Sequence, residues 1–148
     1  MINTILVPTD GSVLADKAVS LAGELAKMYG AKIVLLHALP DIINELIPES
    51  YREFANAEHK QIGDVLISVG EQILRRAEAQ LRAQGVDMVT FSLPRGPAAK
   101  AILDYAKEHP VDMVVMGSRG LGDLQGLLMG SVSHNVSQLS PCSCITVK

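Results

Sequence analysis

The sequence predicts an α/β protein, a five-stranded parallel sheet flanked by helices in a Rossmann-like sandwich. Three observations carry this reading. Short apolar runs alternate with amphipathic segments of helical period along the 148 residues. Two of the runs, "KIVLLHAL" and "VDMVVMG", are almost continuously apolar, as strands covered on both faces must be. Each pair of runs is separated by enough chain for a helix, so the strands join by right-handed crossovers and lie parallel.

Taken in order, the first strand is "TILVP", residues 4–8. Ser12 then caps a helix whose apolar positions Ala15, Ala18, Val19, Ala22, Leu25 and Ala26 recur at helical spacing, with Gly30 just past its end. Residues 32–39 form the second strand. Residues 41–62 are polar and contain Pro48, so they read as a loop with some helix and carry no legible role. The second helix bears Leu66, Val69, Ile73, Ala77 and Leu81 and closes before Gly85. That stripe reads as core packing, and Arg75, Arg76, Glu78 and Arg82 as a solvated face.

The third strand is expected over residues 86–93. Pro97 suits the first turn of a third helix carrying Ala101, Ile102 and Tyr105, and Pro110 follows its end. Residues 111–117 make the fourth strand, residues 131–139 the fourth helix and residues 144–147 the last strand. Neither an internal repeat nor a linker interrupts this order, so residues 1–148 are expected to form one domain.

Composition excludes several classes of function. Two Phe, three Tyr and no Trp leave the core to aliphatic side chains and remove the stacking platforms that single-stranded nucleic acids use. A net charge of −3 lacks the basic footprint of a phosphate-backbone binder, so no nucleic-acid partner is expected. The start of the chain has no basic and apolar pattern of a signal peptide, and no apolar run reaches the roughly 18 residues of a membrane span. A cytoplasmic protein without membrane insertion is expected. Cys142 and Cys144 fall on one face of a strand, and no further cysteine completes a metal site.

The functional signal lies in "MGSRGLGDLQGLLMGSVSHNV". Five of the twelve glycines occur between Gly117 and Gly130. The connection after the fourth strand is about thirteen residues long, where βα loops usually take roughly 2 to 6. It stands at the carboxyl edge of a parallel sheet, where ligands of open α/β folds bind. Gly117 and Gly120 allow neighbouring N–H groups to converge into an anion nest. Gly130 and Ser131 open a helix whose first N–H groups are unpaired, and Ser131 and Ser133 add hydroxyls. A phosphate fits this pattern, with Arg119 the one Lys or Arg between Met116 and Asn135. The pattern is not a Walker A loop, because no Lys precedes Ser131. It is not a dinucleotide fingerprint either, because the first turn, "PTDGS", has Gly11 alone. A glycine-rich surface loop with no ligand stands as the alternative.

At these residues the chain resembles the universal stress protein family, in its ATP-binding branch. That branch carries G-x2-G-x9-G-[ST], and Gly117, Gly120, Gly130 and Ser131 match it without a gap. "ILVPTDGS", "IVLLHAL", "GSVSHNV" and the closing "SPCSCITVK" agree with the resemblance across the chain, outside residues 41–62. The resemblance implies an adenine nucleotide alpha hydrolase-like sandwich binding ATP, with Mg2+ accompanying the nucleotide. It implies that Gly117, Gly120, Gly130 and Ser131 hold the phosphates, with Ser133 nearby and Ser118, Arg119 and Val132 also among the nucleotide-binding residues. Pro8, Thr9 and Asp10 would lie beside the adenosine and Ala38 at the adenine, with Met116 adjoining the pocket. It also implies a homodimer through the last strand and a nucleotide state read by a protein partner.

Other residues divide between site and scaffold. Asp10 is either a turn former before Gly11 and Ser12 or a ligand contact. His37 reads as a satisfied core histidine, His134 as a surface residue, and His59 and His109 carry no visible chemistry. The expected function is a nucleotide-dependent regulator of the stress response. The alternative is a slow ATPase or self-phosphorylating enzyme with Ser131 or Ser133 as acceptor.

Overall fold

The computed structural model describes residues 1–42, 45, 47–52, 56–126 and 128–148. Its strands are β1 (Thr4–Pro8), β2 (Lys32–Leu36), β3 (Val89–Ser92), β4 (Met113–Gly117) and β5 (Ser143–Val147). They form one sheet in the order β3-β2-β1-β4-β5, and every pairing is parallel. Ile5 of β1 stands opposite Ile33 on one side and Met113 on the other. The helices among the described residues are α1 (Val13–Tyr29), α2 (Glu49–Arg52), α3 (Asn56–Ala83), α4 (Ala98–Glu108) and α5 (Ser131–Leu139).

Strand alternation assigns the two faces. Ile5, Val7, Ile33, Leu35 and Val115 pack with Ala18, Val19, Ala22 and Ala26 of α1 and with Leu74, Ala77 and Leu81 of α3. Leu6, Val34, Leu36, Val114 and Met116 pack on the other face with Ile102, Leu103 and Ala106 of α4 and Val136 of α5. Odd and even residues part this way because successive strand side chains point to opposite faces. Each large aliphatic side chain so buried contributes about 1.5–3 kcal/mol.

Three boundaries differ from expectation by three residues or more. Residues 86–88 leave the third strand because α3 ends in a Schellman turn. Gly85 takes φ +83°, its N–H bonds to the Arg82 carbonyl at 2.9 Å, and the Val86 N–H bonds to the Leu81 carbonyl at 3.0 Å. Val86 is thus the buried cap of a helix. The second strand stops at Leu36, beyond which a single bridge joins Leu39 to Arg95. The second predicted helix begins at Asn56, well before Leu66, and runs 28 residues. Much of the stretch read as a loop is therefore helical, in α2 and the start of α3; its residues 43, 44, 46 and 53–55 lie outside the described residues.

The stripe on that helix also divides. Leu74, Ala77 and Leu81 are core, whereas Val69 is 46% exposed and shares an outer face with Ile62 and Val65. No helix among the described residues is long and apolar enough to cross a membrane.

Candidate functional site

In the sheet order, β1 is flanked by β2 and β4, so the chain leaves β1 and β4 in opposite directions. The crevice beyond their carboxyl ends is where open α/β sheets bind ligands. Here the turn after β1 and the glycine loop after β4 meet.

The β1 turn is tied tightly. The Thr9 N–H donates to the Leu36 carbonyl at 2.9 Å, and the Gly11 N–H donates to Thr9 Oγ1 at 3.2 Å. Gly11 has φ +78°, a conformation that favours glycine. Ser12 then caps α1 by accepting the Ala15 N–H. Asp10 spans two segments: Oδ1 accepts the Ser12 N–H at 2.9 Å, and Oδ2 accepts the Leu121 N–H at 2.8 Å across the cleft.

The glycine loop is pinned at its base. The Ser118 N–H donates to the Val147 carbonyl at 2.8 Å, and the Gly130 N–H donates to the Ser118 carbonyl at 2.7 Å. Ser133 Oγ also donates to the Ser118 carbonyl, at 2.6 Å, and lies 3.0 Å from the Gly130 carbonyl. From that base the loop reaches over the cleft. The Gly120 N–H donates to the Asp123 carboxylate within the loop. Gly130 precedes α5 with no side-chain cap, and the first turn of α5 holds no acidic residue. The positive end of this helix dipole therefore faces the cleft without a side chain of its own helix to answer it.

The resulting cleft has a volume of about 310 Å³, at the lower end of small-molecule sites. Of the thirteen residues named for the site, Pro8, Thr9, Asp10, Ala38, Met116, Gly117, Arg119, Gly120, Ser131, Val132 and Ser133 line it. Ser118 does not. It is 2% exposed and its backbone holds the loop's base. Gly130 forms no wall either; a Cβ there would overlap the Asp123 carboxylate.

Two further residues do different work from that expected. A Cβ on Gly117 would lie 2.9 Å from the Leu14 carbonyl carbon and 3.1 Å from the Ala15 nitrogen, so this glycine lets α1 close onto β4. The Ser133 hydroxyl is directed at two carbonyls, which removes it from the phosphate side.

His37, expected in the core, is half-buried and lines the cleft, with its Nδ1–H donated to the Thr9 carbonyl at 2.8 Å. Ala98 and Ile102 of α4 close the apolar side, and Leu121, Gly122 and Asp123 add to the loop side. Nothing in sequence spacing links α4 to this cleft. Asp123 did carry a signal, as the sole carboxylate inside a glycine loop suited to anions. Among the described residues, no group of three or more His, Cys, Asp or Glu is arranged to hold a metal.

A parallel sheet with a glycine-rich βα loop at its switch point defines an open α/β binding fold. The chain belongs to the universal stress protein family, whose family model matches residues 1–148. It is 35% identical over 158 aligned positions to the universal stress protein YxiE of Bacillus subtilis, covering 100% of both chains. The fold superposes on a universal stress protein UspA from Lactobacillus plantarum with a TM-score of 0.86 at 22% identity, covering 99% of this chain and 97% of that one. A universal stress protein solved in complex with cAMP is 26% identical, with a TM-score of 0.69 and coverage of 99% and 96%.

Proposed function

We propose that this cleft binds an adenine nucleotide, ATP in its working form, and that the protein is a nucleotide-dependent regulator of the stress response. It would act in the cytoplasm as a homodimer joined through β5. The single observation that carries the reading is the uncapped start of α5, which opens on the same cleft as Asp10 and the glycine loop. The N–H groups of Ser131, Val132 and Ser133, in the first turn of α5, find no partner within the helix and are the donors that a phosphate accepts from.

The lining suits the rest of the ligand. Pro8, Ala38, Ile102 and Met116 provide an apolar slot for a flat base, and the relative in complex with cAMP supports an adenine ring. Arg119 is at the cleft to offset phosphate charge. Asp10 would hold Mg2+, which neutralises the phosphates it accompanies. The carboxylates and imidazole that line the cleft, Asp10, Asp123 and His37, are each engaged with main-chain groups, which favours binding over turnover as the primary role.

The test is to denature freshly purified protein and identify released nucleotide by chromatography, beside a Gly130→Val variant. Gly130 has φ −76°, a backbone conformation open to valine, and the atoms nearest to its Cβ belong to the Asp123 side chain; circular dichroism checks that the variant folds. Adenine nucleotide released from the native protein alone is expected. Native protein that is empty and also fails to bind Mg-ATP in titration would overturn the reading. Light scattering over a concentration series checks the dimer.

A further inference from the structure

We propose that Asp123 is a resident anion of the glycine loop, which a nucleotide phosphate must displace to bind. The inference rests on the proposed nucleotide site and adds what determines the charge a ligand must bring. Three contacts carry it.

First, the Asp123 carboxylate accepts the Gly120 N–H, one of the amides that the loop offers to an anion. Second, the same carboxylate lies against Gly130, where a Cβ would overlap both of its oxygens. It therefore stands in front of the α5 N-terminus, where partial positive charge collects and where α5 supplies no acidic group itself. Third, the next amide along, Leu121 N–H, is taken by Asp10. Two successive amides of the loop thus each answer a carboxylate oxygen. A Cβ on Gly120 would sit 3.7 Å from Asp123 Oδ2 and closer still to Asp10 Oδ2, so the two negative groups converge on one residue. Only donors strong enough to offset that repulsion hold them together.

A terminal phosphate competes for the same donors with more charge and three acceptor oxygens. The loop is built to release its own carboxylate. Gly122 and Gly126 flank Asp123, both are exposed, and Gly126 takes φ +97°. Asp123 can therefore swing outward without disturbing the base pinned at Ser118 and Ser133. A ligand without phosphate gains nothing from the nest and leaves the carboxylate in place. The device makes occupancy depend on phosphate, not on adenine alone.

The experiment compares wild type, Asp123→Asn and Asp123→Ala by calorimetric titration with ATP in EDTA, with Mg-ATP, and with adenosine. Removing the competing carboxylate should tighten ATP in EDTA by about tenfold, the scale of one hydrogen bond to a charged group. Adenosine affinity should not move. In ligand-free protein, the amide resonance of Gly120 should shift on Asp123→Asn, and in wild type it should shift on ATP addition as phosphate replaces the carboxylate. Unchanged ATP affinity in both variants overturns the inference while leaving the nucleotide site standing. Weakened Mg-ATP binding overturns it in favour of Asp123 as a metal ligand. Failure of folded wild type to bind any nucleotide overturns the proposed function and the displacement with it. The Gly120 resonance then still reports whether the carboxylate occupies the nest.

Discussion

The imidazole of His37 donates its Nδ1–H to the main-chain carbonyl of Thr9 at 2.8 Å, tying the end of β2 to the turn that presents Asp10. The ring's other edge packs close to α3, where a Cβ on Gly70 would lie 3.0 Å from its Cδ2. Replacing His37 with Ala removes the bond and leaves the carbonyl of Thr9, a buried residue, unanswered. A loss of about 1–2 kcal/mol in urea unfolding is expected. Nucleotide affinity should fall as well, because Asp10 loses its support. Normal affinity in the folded variant would show that the turn holds itself.

Gly117 and Gly130 belong to one motif yet should fail in different ways when substituted. Gly117→Ala drives a methyl group into the backbone of α1 at Leu14, and overpacking of that kind costs about 1–3 kcal/mol. For a chain of this size that is a fall of several degrees in Tm, roughly 2–4 °C per kcal/mol. At Gly130 the atoms nearest to an added Cβ all belong to the Asp123 side chain, which can shift. The Tm of Gly130→Val should stay near wild type while nucleotide binding disappears. Thermal melts and titrations on the two variants separate packing from recognition.

These cases show what sequence reading could reach. The alternation of apolar runs and helical segments was enough to find the five strands and make them parallel, because burial on both faces of a parallel sheet leaves an unbroken apolar signature. The glycine spacing located the loop for the same reason, since backbone requirements are written directly in residue type. What each glycine does was not legible. Gly117 serves α1, a segment a hundred residues away in sequence, and only the folded chain brings Leu14 to it. His37 carried no signal of its place, because a histidine in an apolar run looks the same whether it faces core or cleft. The polar start of α3 hid its helix because the apolar residues there, Ile62 and Val65, are exposed.

Asp112 should make stability depend on acid. Its carboxylate accepts the N–H groups of Asn3 and Thr4 at 2.8 and 2.9 Å, and these bonds hold its pKa below the ordinary carboxylate value. Because the folded pKa is depressed, the contribution is present above the unfolded value of about 3.9 and is lost as pH falls through the folded one. The gap in urea midpoint between wild type and Asp112→Ala should be open at pH 7 and closed in strong acid. A gap that persists unchanged at low pH would mean that the carboxylate charge contributes nothing.

Burial pushes the Cys144 thiol above its ordinary pKa, Cys142 adds to the rise, and the Ser140 hydroxyl opposes it. The thiolate is the reactive form. At pH 8, iodoacetamide should modify Cys144 more slowly in the folded protein than in the urea-unfolded chain, as followed by peptide mass spectrometry. Equal rates would place the thiol in open water.

The bond from Leu121 to Asp10 joins positions 111 apart in the chain. During synthesis the first wall of the cleft emerges early and waits for the second. β4 must be seated beside β1, and the Val147 carbonyl must anchor Ser118, before the loop has a base. If the cleft binds a nucleotide as proposed, the ligand would stabilise only chains in which both walls are in place, and its binding free energy would be added to those molecules. In a cell rich in ATP, a finished copy would resist proteases that still clear its unfinished or clipped counterparts. Quality control would then follow from where the two walls lie along the chain.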